Sequence, residues 1–550
     1  MIEIETDVLV VGGGLAALRA AYDGLLTGAR VVLAVKGKAG RSGSSAMTSA
    51  GYSTALSAAD SPETYFEDTI KGGHGINDAK LVRILAEEGP QRLAELVALG
   101  APLGVTETGD WRIIPSGDHS VPRTVSAANH IGRDFTDPLT EAVIRLGAQV
   151  LEMTAAVEVL TAAGEVIGAI LIDYARSELI TIKAPAVILG TGGAGRLFSV
   201  TSNPNDATGD GYALALNAGA SLRDMEFIQF YPWRCIIPFD RSRMPIQPST
   251  FVLGATLLNS DGERFMLRYD PVRGEATTRD VAARGIYDQI HSGKAVRGGV
   301  QLDVSALSLD EWTLSNPKPA RHFLERHLDF KREEMILAPE AHFFMGGVVV
   351  DEWGESQVRG LFVVGEAAGG VHGANRLDSN AIPETQVFGA RAGKAAAARS
   401  RAPGRSAPSI APDRTWTDRL LQADAAPVTS VEEYAELRTD LQATMGRAFG
   451  IVRSRTQMER GLIEVEAIER MLETAAPAGV RALMLHAQMS NSLLVARSCL
   501  RSGLMREESR GAHYRQDFPE QDDERWKCSL RIDLVGSDIQ LRRCELETVH

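Results

Sequence analysis

The sequence predicts an α/β fold in three parts, and three observations predict it. The stretch DVLVVGGGLAALRAAYDGL reads as a buried strand, a glycine turn and a helix, and ARVVLAVK supplies a second strand. Residues 7–36 therefore form a compact βαβ unit. Two more continuous apolar runs, APAVILGTGGAG (184–195) and RGLFVVGEAAGG (359–370), also stop at glycine clusters. Strands this apolar are buried on both faces, as in a parallel sheet whose carboxyl-end loops bind ligands.

The rest of the chain divides around that sheet. At 550 residues it is too long for one core. The sheet rhythm occupies 1–226 and 343–398, and helical periodicity over 78–100 belongs to it. Residues 227–342 lose the rhythm and are rich in aromatics, arginines and prolines, which predicts an inserted α+β capping domain. Residues 399–415 are Ala/Arg/Ser/Pro-rich and read as a surface connector. From 416 to 550 the apolar spacing is helical, so a C-terminal helical domain is expected.

Composition excludes several classes. A net charge of −13 disfavours nucleic-acid binding, which needs a basic surface. Cys235, Cys499, Cys528 and Cys544 are far apart, so no metal site, disulfide framework or cluster held by this chain alone is expected. No apolar run reaches the ~18–20 residues of a membrane span, and no cleavage signal precedes the first strand. A cytoplasmic enzyme is expected.

Gly12-x-Gly14-x-x-Ala17 sits between the first strand and helix. Gly12 permits the tight turn, Gly14 lets a pyrophosphate approach the backbone, and Ala17 allows close helix–sheet packing. The second strand ends in Ala34, Val35 and Lys36, without the acid that usually binds a ribose.

A larger set of motifs settles the cofactor class. In order they are GRSGSSAMTSAG, ILGTGGAGRLF, ATGDGYALALNAGA, MEFIQFYPW, LLNSDGERFM, TRDVAARGI, EAHFFMGGVVVD, GEAAGGVHGANRLDSNA and REESRGAHYRQDFP. The set resembles the succinate dehydrogenase/fumarate reductase flavoprotein family, which includes L-aspartate oxidase and soluble fumarate reductases, and the resemblance spans nearly the whole chain. It implies a Rossmann-like FAD-binding domain and FAD as cofactor. Members commonly lack the ribose-binding acid. The positions implied to line FAD are Gly12, Gly14, Leu15, Ala16, Ala17, Lys36, Ser42, Gly43, Ser44, Ser45, Thr48, Val157, Thr191, Gly192, Gly193, Asp210, Glu366, Arg376, Ser379 and Asn380. Respiratory members carry the flavin on a histidine after an Arg-Ser pair. Here Arg41-Ser42 is followed by Gly43, Ser44 and Ser45, so noncovalent FAD is expected.

The resemblance also implies chemistry. Family members exchange a hydride between flavin and a carbon beside a carboxylate, while protein groups orient the substrate and handle protons. Arg279 matches the proton-donating arginine, with Asp280 as a candidate orienting partner. His342 and Arg376 match the clamp on one carboxylate. The opposite clamp is altered. Members read QFHP where this chain reads QFYPW, which puts Tyr231 in a histidine's place. A Thr-Glu pair and a charged run become Gln247-Pro248 and Phe251-Val252-Leu253. A substrate with one conventional carboxylate is therefore expected, unless Arg234, Arg241 or Arg243 has taken over the far end. Arg506, Arg510 and His513 are expected to tie the C-terminal domain to the flavin domain. An L-aspartate oxidase-like activity with O2 as acceptor, or a flavoprotein served by an iron–sulfur partner, are the alternatives.

Overall fold

The computed structural model describes residues 2–49, 51–238, 244–401, 416 and 428–546. At its centre lies a five-stranded parallel sheet. Its order is Leu361–Val363, Val187–Leu189, Val8–Val11, Val31–Ala34, Gln149–Leu151. The three glycine-terminated strands are thus neighbours, with Leu189 in register between Val11 and Val363.

Strand alternation sends Val8, Val10, Val31 and Leu33 to one face, against the helix Leu15–Leu26 and the helix Ala381–Ser400. Leu9, Val11, Val32 and Ala34 point the other way, into the core shared with an antiparallel sheet. That second sheet comprises Thr154–Ala162, Glu165–Asp173 and Glu178–Lys183, with Ile2–Glu5 added in parallel. Each fully buried aliphatic side chain contributes about 1.5–3 kcal/mol. Gly12 is at φ +127°, and a Cβ there would lie 2.2 Å from the Gly190 carbonyl oxygen. Gly190 in turn packs so close to Ala17 that a Cβ would meet its methyl at 2.8 Å, which explains the small residue in the motif.

The inserted segment has a core of its own around Trp233, Phe251, Trp312 and Phe330. Its antiparallel sheet runs Ile228–Ile237, Ile336–Phe344, Val300–Asp303, Thr256–Leu258. The strand Ile336–Phe344 crosses the expected boundary at 342/343, so it is common to the cap and the nucleotide domain.

Most of the connector, residues 402–415, lies outside the described residues, as do Arg241 and Arg243. Trp416 is buried, and its indole N–H donates to the Glu158 carboxylate at 2.6 Å. The expected helices follow as Val431–Ala448, Arg455–Glu473 and Gly479–Met505. After them comes a feature that helical spacing did not show, the hairpin Ser529–Val535/Asp538–Cys544. It pairs with Leu222–Arg223 of the nucleotide domain and completes a four-stranded sheet. Among the described residues no helix is long and apolar enough to cross a membrane.

Candidate active site

A cavity of about 830 Å³ opens at the carboxyl ends of the parallel strands, where Val11, Val35, Gly190 and Val364 line it. One end is built for phosphates. Gly12, Gly14, Leu15 and Ala16 place the start of the helix Leu15–Leu26 on the wall. The Leu15 amide donates to the Ser45 hydroxyl at 3.1 Å, and the positive end of the helix faces the space. A Cβ at Gly43 or Gly192 would meet nothing within 4 Å, so both present bare backbone to the cavity. An extended dinucleotide fits such a lining. Ser42, Ser44, Thr48 and Thr191 also line it. The Ser42 hydroxyl donates to the Lys38 carbonyl at 2.9 Å and accepts from the Lys38 amide at 3.0 Å, while Ser44 approaches Asn203 at 3.5 Å.

Lys36 and Asp210 share this wall. The Lys36 ammonium donates to Asp210 and to the Thr208 hydroxyl, each at 2.7 Å. The other Asp210 oxygen accepts from Asn491 at 3.1 Å, so the helix Gly479–Met505 also supports the cavity.

Four of the expected cofactor positions do not line the cavity. Val157 packs into a separate core with Trp416 and Leu483: the cavity wall ends at Thr154, Ala155 and Ala156, and Val157 is the extra residue of a bulge between Ala156 and Glu158. Ala17 packs behind the glycine turn, and Gly193 lies so close to Glu366 that a Cβ would reach its carboxylate at 2.0 Å. Asn380 is fully buried at the start of the helix Ala381–Ser400, where it accepts from the Tyr65 hydroxyl and donates to Thr69. Ser379 does line the cavity, and so does Glu366. Burial pushes the Glu366 carboxyl up to about 7, against hydrogen bonds from the Phe344 and Gly193 amides.

At the other end three basic groups converge. Gln229 is the centre: its Oε1 accepts from Arg279 at 3.0 Å and from Arg376 at 3.3 Å. Its Nε2 donates to Asn375 and to the Arg376 carbonyl, each at 2.8 Å. His342 completes the group through a bulge. Gln229 pairs with Phe343 and Phe230 with Ala341, so His342 is the extra residue and is re-aimed into the cavity. Its Nε2 accepts from Arg376 at 3.1 Å, which makes Nδ1 the protonated nitrogen, donating to Ser202 at 2.7 Å. Burial, then Arg376 and Arg279, hold this imidazole neutral, well below the ordinary histidine range.

Arg376 makes no ion pair among the described residues, and its buried Nε has no partner. Burial, reinforced by the Arg279 cation, pushes its guanidinium down to about 10. A buried cation left in this state favours an incoming anion. Arg279 starts the helix Arg279–His291 and is ion-paired with Asp378. Asp280, the partner expected from sequence, faces elsewhere: it binds Arg284 at 3.2 Å and Asn375 at 3.0 Å. Adjacent residues on a helix point about 100° apart, so neighbours in sequence do not share a face.

Tyr231 lines the cavity with its ring, 5.2 Å from the His342 ring and 5.1 Å from the Arg279 guanidinium carbon. Its hydroxyl donates to the Ile246 carbonyl at 2.7 Å. Gln247, Pro248 and Ser249 continue this wall, whereas Phe251 packs at a tilt against Trp233 in the cap core. Arg234 does not line the cavity. Lys318 does, beside His130. Burial pushes the lysine down, and Asp134 offsets that.

Arg506, Arg510 and His513 are buried and away from the cavity. Arg506 pairs with Glu226 and Glu508, Arg510 binds Glu508 and the His74 carbonyl, and His513 accepts from Arg453. They join the C-terminal segment to the nucleotide domain, in line with the sequence expectation.

Residues 7–382 match the family described as FAD binding domain, and residues 438–549 match the fumarate reductase flavoprotein C-terminus. The chain belongs to the succinate dehydrogenase/fumarate reductase flavoprotein family. It is an FAD-dependent oxidoreductase. It is 39% identical to one of the subunits of fumarate reductase (CoM/CoB) from Methanothermobacter marburgensis, over 96% of this chain and 97% of that protein. It is 35% identical to L-aspartate oxidase of Caulobacter vibrioides, over 94% of each. Among solved structures, E. coli quinol fumarate reductase superposes with a TM-score of 0.90 at 25% identity, over 100% of this chain and 98% of that one.

Gln229, Asn375, Ser202 and Asp378 were not singled out for a role by sequence. Gln229 lay within the recognised stretch MEFIQFYPW, and Asn375 and Asp378 lay within HGANRLDSNA, so a signal existed without a direction.

Proposed function

We infer that the enzyme oxidises or reduces a carbon–carbon bond next to a carboxylate, and that its substrate carries one conventional carboxylate. The observation that carries this reading is Arg376: a buried guanidinium on the cavity wall, joined to Arg279 through Gln229, with no ion pair of its own among the described residues. Arg376 and neutral His342 bind the substrate carboxylate, and Arg279 hands a proton to, or takes it from, the reacting carbon. Bound FAD supplies the matching hydride transfer. The FAD is held noncovalently by Gly12, Gly14, Leu15, Ala16, Lys36, Ser45, Thr48, Gly192, Asp210, Glu366 and Ser379. Gln229 fixes the spacing of the two guanidiniums, and Ser202 fixes the imidazole tautomer. The far wall of Tyr231, Gln247, Pro248 and Ser249 offers no cation, so it suits an uncharged or aromatic end. Lys318 supports a second reading, a longer substrate with a distal anion. The archaeal relative is named as one subunit of its enzyme, which supports delivery of electrons by a partner protein such as an iron–sulfur protein. The likeness to L-aspartate oxidase supports O2 as the alternative acceptor.

The test is anaerobic oxidation of the reduced holoenzyme by crotonate, cinnamate, fumarate and muconate, with flavin reduction by succinate and aspartate alongside. Crotonate or cinnamate should react fastest. Micromolar affinity for fumarate or succinate with fast turnover removes the one-carboxylate reading, and a preference for muconate favours Lys318.

A further inference from the structure

Arginine is a weak acid in water, so a guanidinium that donates a proton to carbon must be resupplied. Tyr231 is not placed to do this, because its hydroxyl already donates to the Ile246 carbonyl. The carboxylate in contact with Arg279 is Asp378, and its setting is unusual. The Asp378 amide donates to the Asp118 carboxylate at 2.7 Å. Its carbonyl accepts from His119 Nε2 at 2.9 Å and from the Ser53 hydroxyl at 3.1 Å. Arg123 approaches the other His119 nitrogen, Nδ1, at 3.5 Å, which leaves Nε2 as the donor.

The backbone of Asp378 is therefore pinned on both sides, and its side chain is free to serve Arg279 with one oxygen. The second oxygen accepts from the Ser379 hydroxyl at 3.2 Å. The Asp378 side chain remains 15% exposed and lines the cavity, whereas the Arg279 side chain is 5% exposed. Asp378 is thus the more exposed member of the pair and the one more open to water.

We propose that Asp378 is the proton-carrying partner of Arg279, aligning the guanidinium and replacing the proton it gives up. In the reductive direction an N–H bond of Arg279 breaks as the C–H bond forms, leaving a neutral guanidine. The Asp378 carboxyl, protonated from water, then returns a proton to that nitrogen and is again a carboxylate. Oxidation runs the same transfers backwards, and no electrons move in either step. This rests on the reading of Arg279 as the proton donor.

The experiment compares the parent holoenzyme with Asp378→Asn, Asp378→Ala and Arg279→Ala. Each is assayed for FAD content and for reduction of crotonate, with fumarate as second probe, using reduced benzyl viologen. Asp378→Asn should keep its FAD and a KM within about threefold, and lose about 100-fold or more in kcat, the size of a lost acid–base partner. Asp378→Ala should lose as much and regain rate in proportion to added formate, a diffusible acid for the vacated space. Formate rescue does not arise from a merely structural defect.

Asp378→Asn turning over within threefold of the parent overturns the proposal. So does an Asp378→Ala loss that formate leaves untouched, or loss of FAD from both variants. Arg279→Ala with full turnover, or a parent that reduces neither probe, overturns the underlying reading of the site and this inference with it. An essential Arg279 beside a dispensable Asp378 removes the inference alone.

Discussion

Two groups of buried arginines in this protein look alike in burial and differ in company. At the C-terminal junction, Arg506 binds Glu226, Glu508 and the carbonyls of Trp526 and Cys528. Desolvation there is outweighed by Glu226 and Asp224, and its guanidinium is held above its ordinary range. Arg453 beside it makes no ion pair among the described residues and donates to the Gly450 and Glu226 carbonyls, with its buried Nη2 left over and no cavity for it to open on. On the cavity wall, Arg376 has a glutamine, an imidazole and one neighbouring carbonyl. Arg506 is neutralised without a ligand, whereas Arg376 opens on a cavity with no counter-ion among the described residues. Burial of charge alone does not mark a site; a buried charge that opens on a cavity and lacks a counter-ion does.

That contrast can be broken by experiment. The largest effect belongs to the junction. Arg506→Ala leaves Glu226 buried without its cation and Glu508 with Arg510 alone, and should cost about 3–5 kcal/mol of stability, read as a large fall in Tm by calorimetry. An unchanged Tm would dissolve the distinction between the groups. Next is Glu366, whose carboxyl is raised from about 4.5 in the unfolded chain to about 7 in the fold. A raised acid holds its proton in the folded state, so this group loses stability as pH climbs from about 4.5 to 7. Glu366→Gln should remove up to about 3 kcal/mol of that pH dependence, measured as apoprotein unfolding by urea at pH 5 and pH 7.5. An equal slope in both proteins refutes the assignment.

Arg376→Ala should weaken substrate binding by about 1.5–3 kcal/mol, the worth of a charge-assisted hydrogen bond, and should leave the Tm at or above that of the parent. A fall in Tm matching Arg506→Ala would place Arg376 among the structural cations. The smallest effect is that of Tyr231→Phe, which loses only the bond to Ile246, about 1 kcal/mol of stability, with KM unmoved. A large rise in KM would show that the hydroxyl meets the substrate after all. Acid precipitation should release the yellow colour; flavin staying with the pellet would point to His130 on the cavity wall as an attachment point.

Much of the fold was legible because its signals are local. Three apolar strands that end in glycine, and a Gly-x-Gly turn before a helix, are properties of ten-residue windows, and the sheet placed them side by side. The hairpin after residue 528 was missed although its strands pair with each other across a short turn. What no local window shows is its docking, through Arg531 and Ile532, on Leu222–Arg223 some three hundred positions away. The site divides in the same way. Arg279, His342 and Arg376 converge as their motifs implied, while the partner of Arg279 was misread as its sequence neighbour Asp280. Asp378 is ninety-nine residues distant, and only the folded chain brings them together. Val157 was misplaced for a smaller reason, a bulge in its strand that turns it away just past the cavity wall.

The two sides of the substrate end also come from different kinds of structure. Gln229 and His342 sit on paired strands, and Arg279 begins a helix packed on them. The far wall comes instead from residues 244–249, and the adjoining segment 314–319 brings Lys318; both are short helices and the loops beside them. Changes there do not disturb the hydrogen bonds that set the reacting groups. A lineage carrying this architecture can therefore drift from one carboxylic acid to another by altering loops while its proton and hydride chemistry stays constant.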